Sequence, residues 1–325
     1  MTAPIVAGTD GSEESLAAVQ WAAVEAGRRR VPLSIVHVLE HHTGPVADSQ
    51  IVWHEVHRHS VARHDVPHGA RSVLARAARR AADAAPGVDL RTTAVPGCAD
   101  QVLTAITDEA ALFAIGTRGT GGGAFSGLRL GSVALCLASR ARCPVVFTAA
   151  GSRPDVREIV VGTDDSDEAA AALEFSFGEA NVRGARVNAL YAWQHAEKGR
   201  LDGYRGWVLS VDPVNEAAAA LLSEQTAPWR DRYPGVAVTE SPVRGHAGRV
   251  LALASQSTDL IVVGGRRGLA SSMGLGPVTY AMLRHAQCPV AVIPGGIAAW
   301  AAPEYVGVAR ESRVGLGRLA ACAAL

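Results

Sequence analysis

A chain of 325 residues exceeds the usual size of one domain, so two domains are expected. Acidic and basic residues balance at 31 each, which gives no electrostatic reason to expect nucleic acid or an anionic membrane surface as a partner. The five cysteines form no Cys-x-x-Cys pair and the only lysine is Lys198, which argues against a disulfide framework or zinc knuckle and leaves no Gly-Lys-Ser/Thr phosphate loop.

Ile5-Val-Ala-Gly8 reads as a short strand ending in the turn Thr9-Asp10-Gly11-Ser12, and an alanine-rich amphipathic helix runs from Glu13 to about Arg30, with Ser12 as its N-cap. Leu33 to Leu39 is a second strand. His41 to His68 holds seven of the eleven histidines, at a spacing that matches no helical metal motif; it reads as a solvated connection. A second helix covers roughly Gly69 to Ala85, ending before Pro86-Gly87, and Leu90 to Val95 is a third strand. Gly97 opens a third helix through Val102, Leu103 and Ile106. Leu112 to Ile115 is a buried strand, Val133 to Arg140 a helix, and Cys143 to Thr148 the last strand of this stretch. Strand and helix in alternation define a doubly wound parallel α/β sheet. No apolar run reaches the roughly 18 residues of a membrane span, and the start lacks a signal-peptide pattern, so a soluble, cytoplasmic protein is expected.

Between the fourth strand and its helix lies Gly116-Thr-Arg118-Gly119-Thr-Gly-Gly-Gly-Ala-Phe-Ser-Gly-Leu-Arg-Leu-Gly131-Ser132. Such a loop either serves as a turn or brings backbone N–H groups to an anion; Gly131-Ser132 would add a hydroxyl and the positive end of a helix dipole. Ligands of open parallel sheets sit beyond the carboxyl ends of the strands where strand order reverses. The two conspicuous loops follow strands one and four, which implies the order 3-2-1-4-5. Asp10, at the tip of strand one, is placed either to accept a hydrogen bond from a base or sugar or to close an Asx turn.

The plan then repeats. Ile159-Val-Val-Gly162-Thr163-Asp164-Asp-Ser166 restates the opening, and Asp10, Gly97, Gly116 and Cys143-Pro144 find counterparts in Asp164, Gly245, Gly265 and Cys288-Pro289, at offsets of 154, 148, 149 and 145. This narrow drift is what duplication with loop indels produces. The expected division is 1–150, 155–297 and a C-terminal extension, 298–325, with two five-stranded sheets. The apolar last strands of the two halves have edges to cover, so the halves are expected to pack as an intramolecular pseudo-dimer.

With these motifs in place, the chain resembles the tandem form of the universal stress protein family, over about residues 3–150 and 157–295. The resemblance rests on the Gly-Thr-Asp-Gly-Ser turn, His37-Val38, the Gly97 turn, the glycine loop and the Cys-Pro-Val strand. Nucleotide-binding members carry Gly-x2-Gly-x9-Gly-Ser/Thr. The resemblance implies that Asp10 and Val38 contact adenosine, with Thr9 beside them, and that Gly116, Arg118, Gly119, Gly131 and Ser132 hold ribose and phosphates. The implied ligand is ATP or another adenine nucleotide, with or without Mg2+, and the implied role is a stress-response or regulatory sensor with unknown protein partners, alone or as a homodimer. Catalysis is expected to reach slow ATP hydrolysis or autophosphorylation at most. Here eleven residues separate Gly119 from Gly131, while the second copy has Gly276-Pro277 where the serine should be. Proline supplies neither hydroxyl nor N–H, so the second site is expected to bind weakly or not at all. The rival reading is a nucleotide-independent scaffold of the same fold. A dehydrogenase is disfavoured because Gly-x-Gly-x-x-Gly does not follow strand one.

Overall fold

The structure, a computed structural model, describes residues 3–39, 66–117, 130–148, 156–194, 212–265 and 274–295. The histidine-rich stretch before Val66, most of the glycine loop with Arg118 and Gly119, the Arg266-Arg267 pair and the tail from 298 lie outside the described residues.

In the first half the chain runs β1 (Ile5–Gly8), α1 (Glu13–Arg29), β2 (Leu33–Leu39), α2 (His68–Ala84), β3 (Leu90–Pro96), α3 (Ala99–Ile106), β4 (Leu112–Gly116), α4 (Ser132–Arg140) and β5 (Val145–Thr148). The second half repeats the series with β6 (Glu158–Gly162), α5 (Asp167–Arg183), β7 (Arg186–Trp193), α6 (Asp212–Arg232), β8 (Val238–Arg244), α7 (Ala247–Ala254), β9 (Leu260–Gly265), α8 (Pro277–His285) and β10 (Val290–Pro294). Helices α1 and α5 start alike: Ser12 and Ser166 accept from the N–H groups of Ser15 and Ala169, and acids occupy the first turn. They also stop alike, on a left-handed residue, Arg30 at φ 54° and Gly184 at φ 62°.

Both halves have the strand order 3-2-1-4-5, but they do not form two separate sheets. They join edge to edge in a single ten-stranded sheet, β3-β2-β1-β4-β5-β10-β9-β6-β7-β8. All pairings are parallel except the seam, where β5 and β10 run antiparallel with Val290 opposite Phe147, Ala291 opposite Val146 and Val292 opposite Val145. Moving each first-half residue by the offset of 145 maps this register onto itself, so an approximate two-fold axis passes between Val146 and Ala291. Helices α1, α2, α5 and α6 cover one face, burying Leu16, Ala77, Phe175, Phe177 and Leu222; α3, α4, α7 and α8 cover the other over Val36, Phe113, Leu137, Ile261 and Met282. Buried on both faces, the central strands need the near-continuous apolar runs they have.

The same axis relates a buried ionic cluster between α1 and α5. Glu25 and Glu179 are fully buried, and Arg29 and Arg183 are 7% and 9% exposed. Within each helix the arginine Nε donates to the glutamate one turn back, at 2.5 Å for Arg29–Glu25 and 2.7 Å for Arg183–Glu179. Across the seam Arg183 Nη2 reaches Glu25 at 2.9 Å and Arg29 pairs with Glu179. Burial by itself would raise the Glu25 pKa, but the guanidinium groups of Arg183, Arg29 and Arg28 together hold it below its ordinary value. Sequence reading missed this cluster, although Glu-x3-Arg recurs at an offset of 154, the same offset as Asp10 and Asp164.

Candidate nucleotide site

At the carboxyl end of β1 the chain turns sharply into α1, and the turn is held from within. The Ser12 N–H donates to Asp10 Oδ1 at 2.9 Å, which is the Asx turn; the Gly11 N–H donates to Thr9 Oγ1, and Thr9 Oγ1 lies 3.0 Å from Ser15 Oγ in a buried hydroxyl pair. Gly11 has φ +85°, a backbone that favours glycine. From β2, His37 Nδ1 donates to the Thr9 carbonyl at 2.8 Å. Asp10 is therefore first a turn residue, half-buried at the tip of β1. Val38, next to His37, is half-buried and packs toward the α3–α4 face.

The fourth strand ends at Gly116, and its glycine has a structural reason. A Cβ there would stand 2.8 Å from the Glu14 carbonyl carbon and 2.9 Å from the Ser15 nitrogen, so the start of α1 requires a hydrogen at this place. The mouth of the loop is then tied. Thr117 N–H donates to Thr148 O on β5, and Gly131 N–H donates to Thr117 O at 2.9 Å. The two loop ends are thus held together across the residues between them, and the extra residues relative to the family pattern leave those ends in contact. Gly131 caps α4 with extended backbone, φ −72° and ψ 153°, and no side chain caps the helix. The first intrahelical bond is from Leu135 N–H to Gly131 O, so the first-turn N–H groups, starting at the exposed Ser132, have no acceptor within the helix. This open helix start presents backbone donors and the positive end of the helix dipole, the chemistry that favours an anion.

Of the residues expected to bind, Thr9, Asp10, Val38, Gly116, Gly131 and Ser132 all fall at the carboxyl edge of β1, β2 and β4, while Arg118 and Gly119 lie outside the described residues. The positions sequence reading did not single out are Ser15, which bonds Thr9, and Thr148, which holds Thr117 and whose hydroxyl donates to Glu14 O.

The second half shows what has changed. Gly264, not Gly265, is the counterpart of Gly116. Ile159 pairs with Leu260 as Ile5 pairs with Leu112, and a Cβ on Gly264 would meet Glu168, the equivalent of Glu14, at 2.7 Å. The offset is thus 148, as for Gly97, and the Gly-x2-Gly spacing is lost because Arg267 falls where Gly119 stands in the first copy. The Asx turn survives, with Ser166 N–H donating to Asp164 Oδ1 at 3.0 Å. Ala169 replaces Ser15, and Thr163 finds a substitute partner in Gln225 of α6, to whose Oε1 it donates at 2.7 Å. Helix α8 opens on Gly276 and Pro277 with no hydroxyl to offer.

The fold and this edge define a tandem, doubly wound α/β protein whose first copy keeps an anion-ready helix start. The universal stress protein family model matches residues 1–148 and 156–294, and the chain belongs to that family. It is 33% identical over 299 residues to universal stress protein Rv2005c of Mycobacterium tuberculosis, covering 89% of this chain and 96% of that one. Among solved structures, a universal stress protein from Archaeoglobus fulgidus aligns over 91% of this chain and 97% of its own at 17% identity and a TM-score of 0.61, a likeness of fold. A universal stress protein in complex with cAMP aligns over 46% of this chain and 98% of its own, at 26% identity and a TM-score of 0.34.

Proposed function

We propose that the first half, residues 1–150, binds an adenine nucleotide, with ATP as the reference ligand, and that the second half, 155–297, keeps the fold but has lost the phosphate grip; residues 298–325 form an extension. In this reading the protein is a regulator in which occupancy of one site tunes the surface offered to protein partners. The observation that carries it is the uncapped first turn of α4 beside the Asp10 turn and the tip of β4. A phosphate there receives backbone N–H groups and the Ser132 hydroxyl; a nucleoside on the Asp10 and Val38 side completes the ligand. The Gly276-Pro277 start of α8 and the lost glycine spacing support a single strong site.

The test is calorimetric titration of nucleotide-stripped protein with ATP and ADP, beside Gly131→Val. Gly131 has extended backbone, which valine adopts readily, so the variant crowds the anion site without straining the backbone, and a thermal melt checks its fold. One site per chain, lost in the variant, is the expected result. A folded, nucleotide-free protein that gives no heat with either ligand overturns the reading in favour of a scaffold.

A further inference from the structure

We propose that Arg284, a residue of the second half, completes the phosphate site of the first half. The inference rests on the nucleotide reading above and adds a residue from across the seam.

The seam places the end of each half's last helix at the mouth of the other half. This is directly visible on one side. Leu137, Ser139 and Ala141, at the end of α4, share a cleft with Gly265 and Pro294, at the carboxyl ends of β9 and β10. A Cβ on Gly274, two residues before the α8 cap, would stand 3.6 Å from Ser139 Cβ. The antiparallel β5–β10 register and the Glu25–Arg29–Glu179–Arg183 cluster both obey the two-fold relation, one in the sheet and one on the opposite helical layer. Applied to α4, that relation carries Ser139 to Arg284 at the offset of 145 and Gly265 to Thr117 at 148. The end of α8 therefore faces the first half's mouth, where Thr117 bonds Gly131 and α4 begins.

Where the first copy has a serine that bonds its own helix carbonyls, the second copy has a long cation. Arg284 is half-buried, and its Nε is buried without a hydrogen-bond partner. Nη1 lies 3.4 Å from the Tyr280 hydroxyl and the guanidinium carbon 5.7 Å from that ring's centroid. No carboxylate pairs with it among the described residues. A partly desolvated guanidinium with an unused donor, beside the Tyr280 ring on the helix end that the two-fold relation brings to the first half's mouth, offers the planar fork that recognises phosphate oxygens. The difference between Ser139 and Arg284 also makes the arrangement one-sided: the two-fold relation sets an arginine at the mouth of the first half, where α4 opens on Gly131-Ser132, and a serine at the mouth of the second, where α8 opens on Gly276-Pro277.

The experiment titrates the full chain with ATP and with adenosine, comparing wild type, Arg284→Met and Arg284→Lys, with thermal melts as the folding control. If Arg284 grips phosphate, Arg284→Met weakens ATP about tenfold or more and leaves adenosine unchanged, and Arg284→Lys falls between. Unchanged ATP affinity in Arg284→Met overturns the proposal, and so does an equal loss for ATP and adenosine, which would mark a merely structural residue. Should Arg284→Met not fold, Arg284→Lys decides by the same comparison. Wild-type protein that binds no ATP overturns the nucleotide reading itself and this inference with it, an outcome distinct from the variant results.

Discussion

Gly116 and Ser132 stand at the two ends of one loop, yet their substitutions have different meanings. Adding a methyl to Gly116 drives it into the backbone of Glu14 and Ser15, so Gly116→Ala is expected to cost about 1–3 kcal/mol in a urea melt, and Gly264→Ala, against Glu168, a similar amount. Ser132 is exposed and touches no core, so Ser132→Ala should stay within about 0.5 kcal/mol of wild type while weakening ATP. A Gly116 variant that melts like wild type would show that this glycine serves the ligand alone. Half of this was legible in the sequence: the glycine-rich stretch marked the place, but composition does not distinguish a glycine that admits a ligand from one that admits a neighbouring helix. For the same reason the repeat assigned Gly116 to Gly265. Two adjacent glycines look alike as letters, and only strand register and the contact with Glu168 choose Gly264. Cys143 is a case where the bland reading suffices, since burial raises its thiol pKa and keeps it a packing residue.

At the scale of elements, α1 and α5 carry more than their amphipathic pattern indicates. The strand order was readable because the two loops rich in glycine and small polar residues had to flank one crevice, and the second half followed from the repeat. The Glu25–Arg29–Glu179–Arg183 cluster was not readable, because a charged residue on a helix is ordinarily solvated and only the seam buries these. Removing one member leaves the others buried and uncompensated, so Glu25→Ala should destabilise by about 3–5 kcal/mol. The pH dependence follows from the direction of the Glu25 shift. Its folded pKa lies below the ordinary 4.5, so the unfolded chain takes up the proton first. The contribution is complete above about pH 4.5 and is lost as pH falls toward the folded value. Denaturant melts between pH 7 and pH 3 should show an acid decline in wild type that is shallower in Glu25→Gln; equal slopes would remove Glu25 from the account.

For the whole molecule, the ten-stranded sheet and the ionic cluster couple the halves on two layers at once. A single calorimetric transition with matching van't Hoff and calorimetric enthalpies is therefore expected; two resolved transitions would show the halves folding independently. Sequence anticipated that the apolar edges of β5 and β10 would bring the halves together, but not that the two strands would pair into one continuous ten-stranded sheet. Alternation tells which residues are buried, and it does not name the strand that does the burying.

The antiparallel seam has a further consequence. Two subunits that meet by mass action part on dilution, and any substitution at their contact appears on both sides. Here one polypeptide supplies both partners, so the pairing persists at any protein concentration, and each side of the axis is free to change by itself. Serine on one helix and arginine on its twin is a divergence that a dimer of identical chains cannot make.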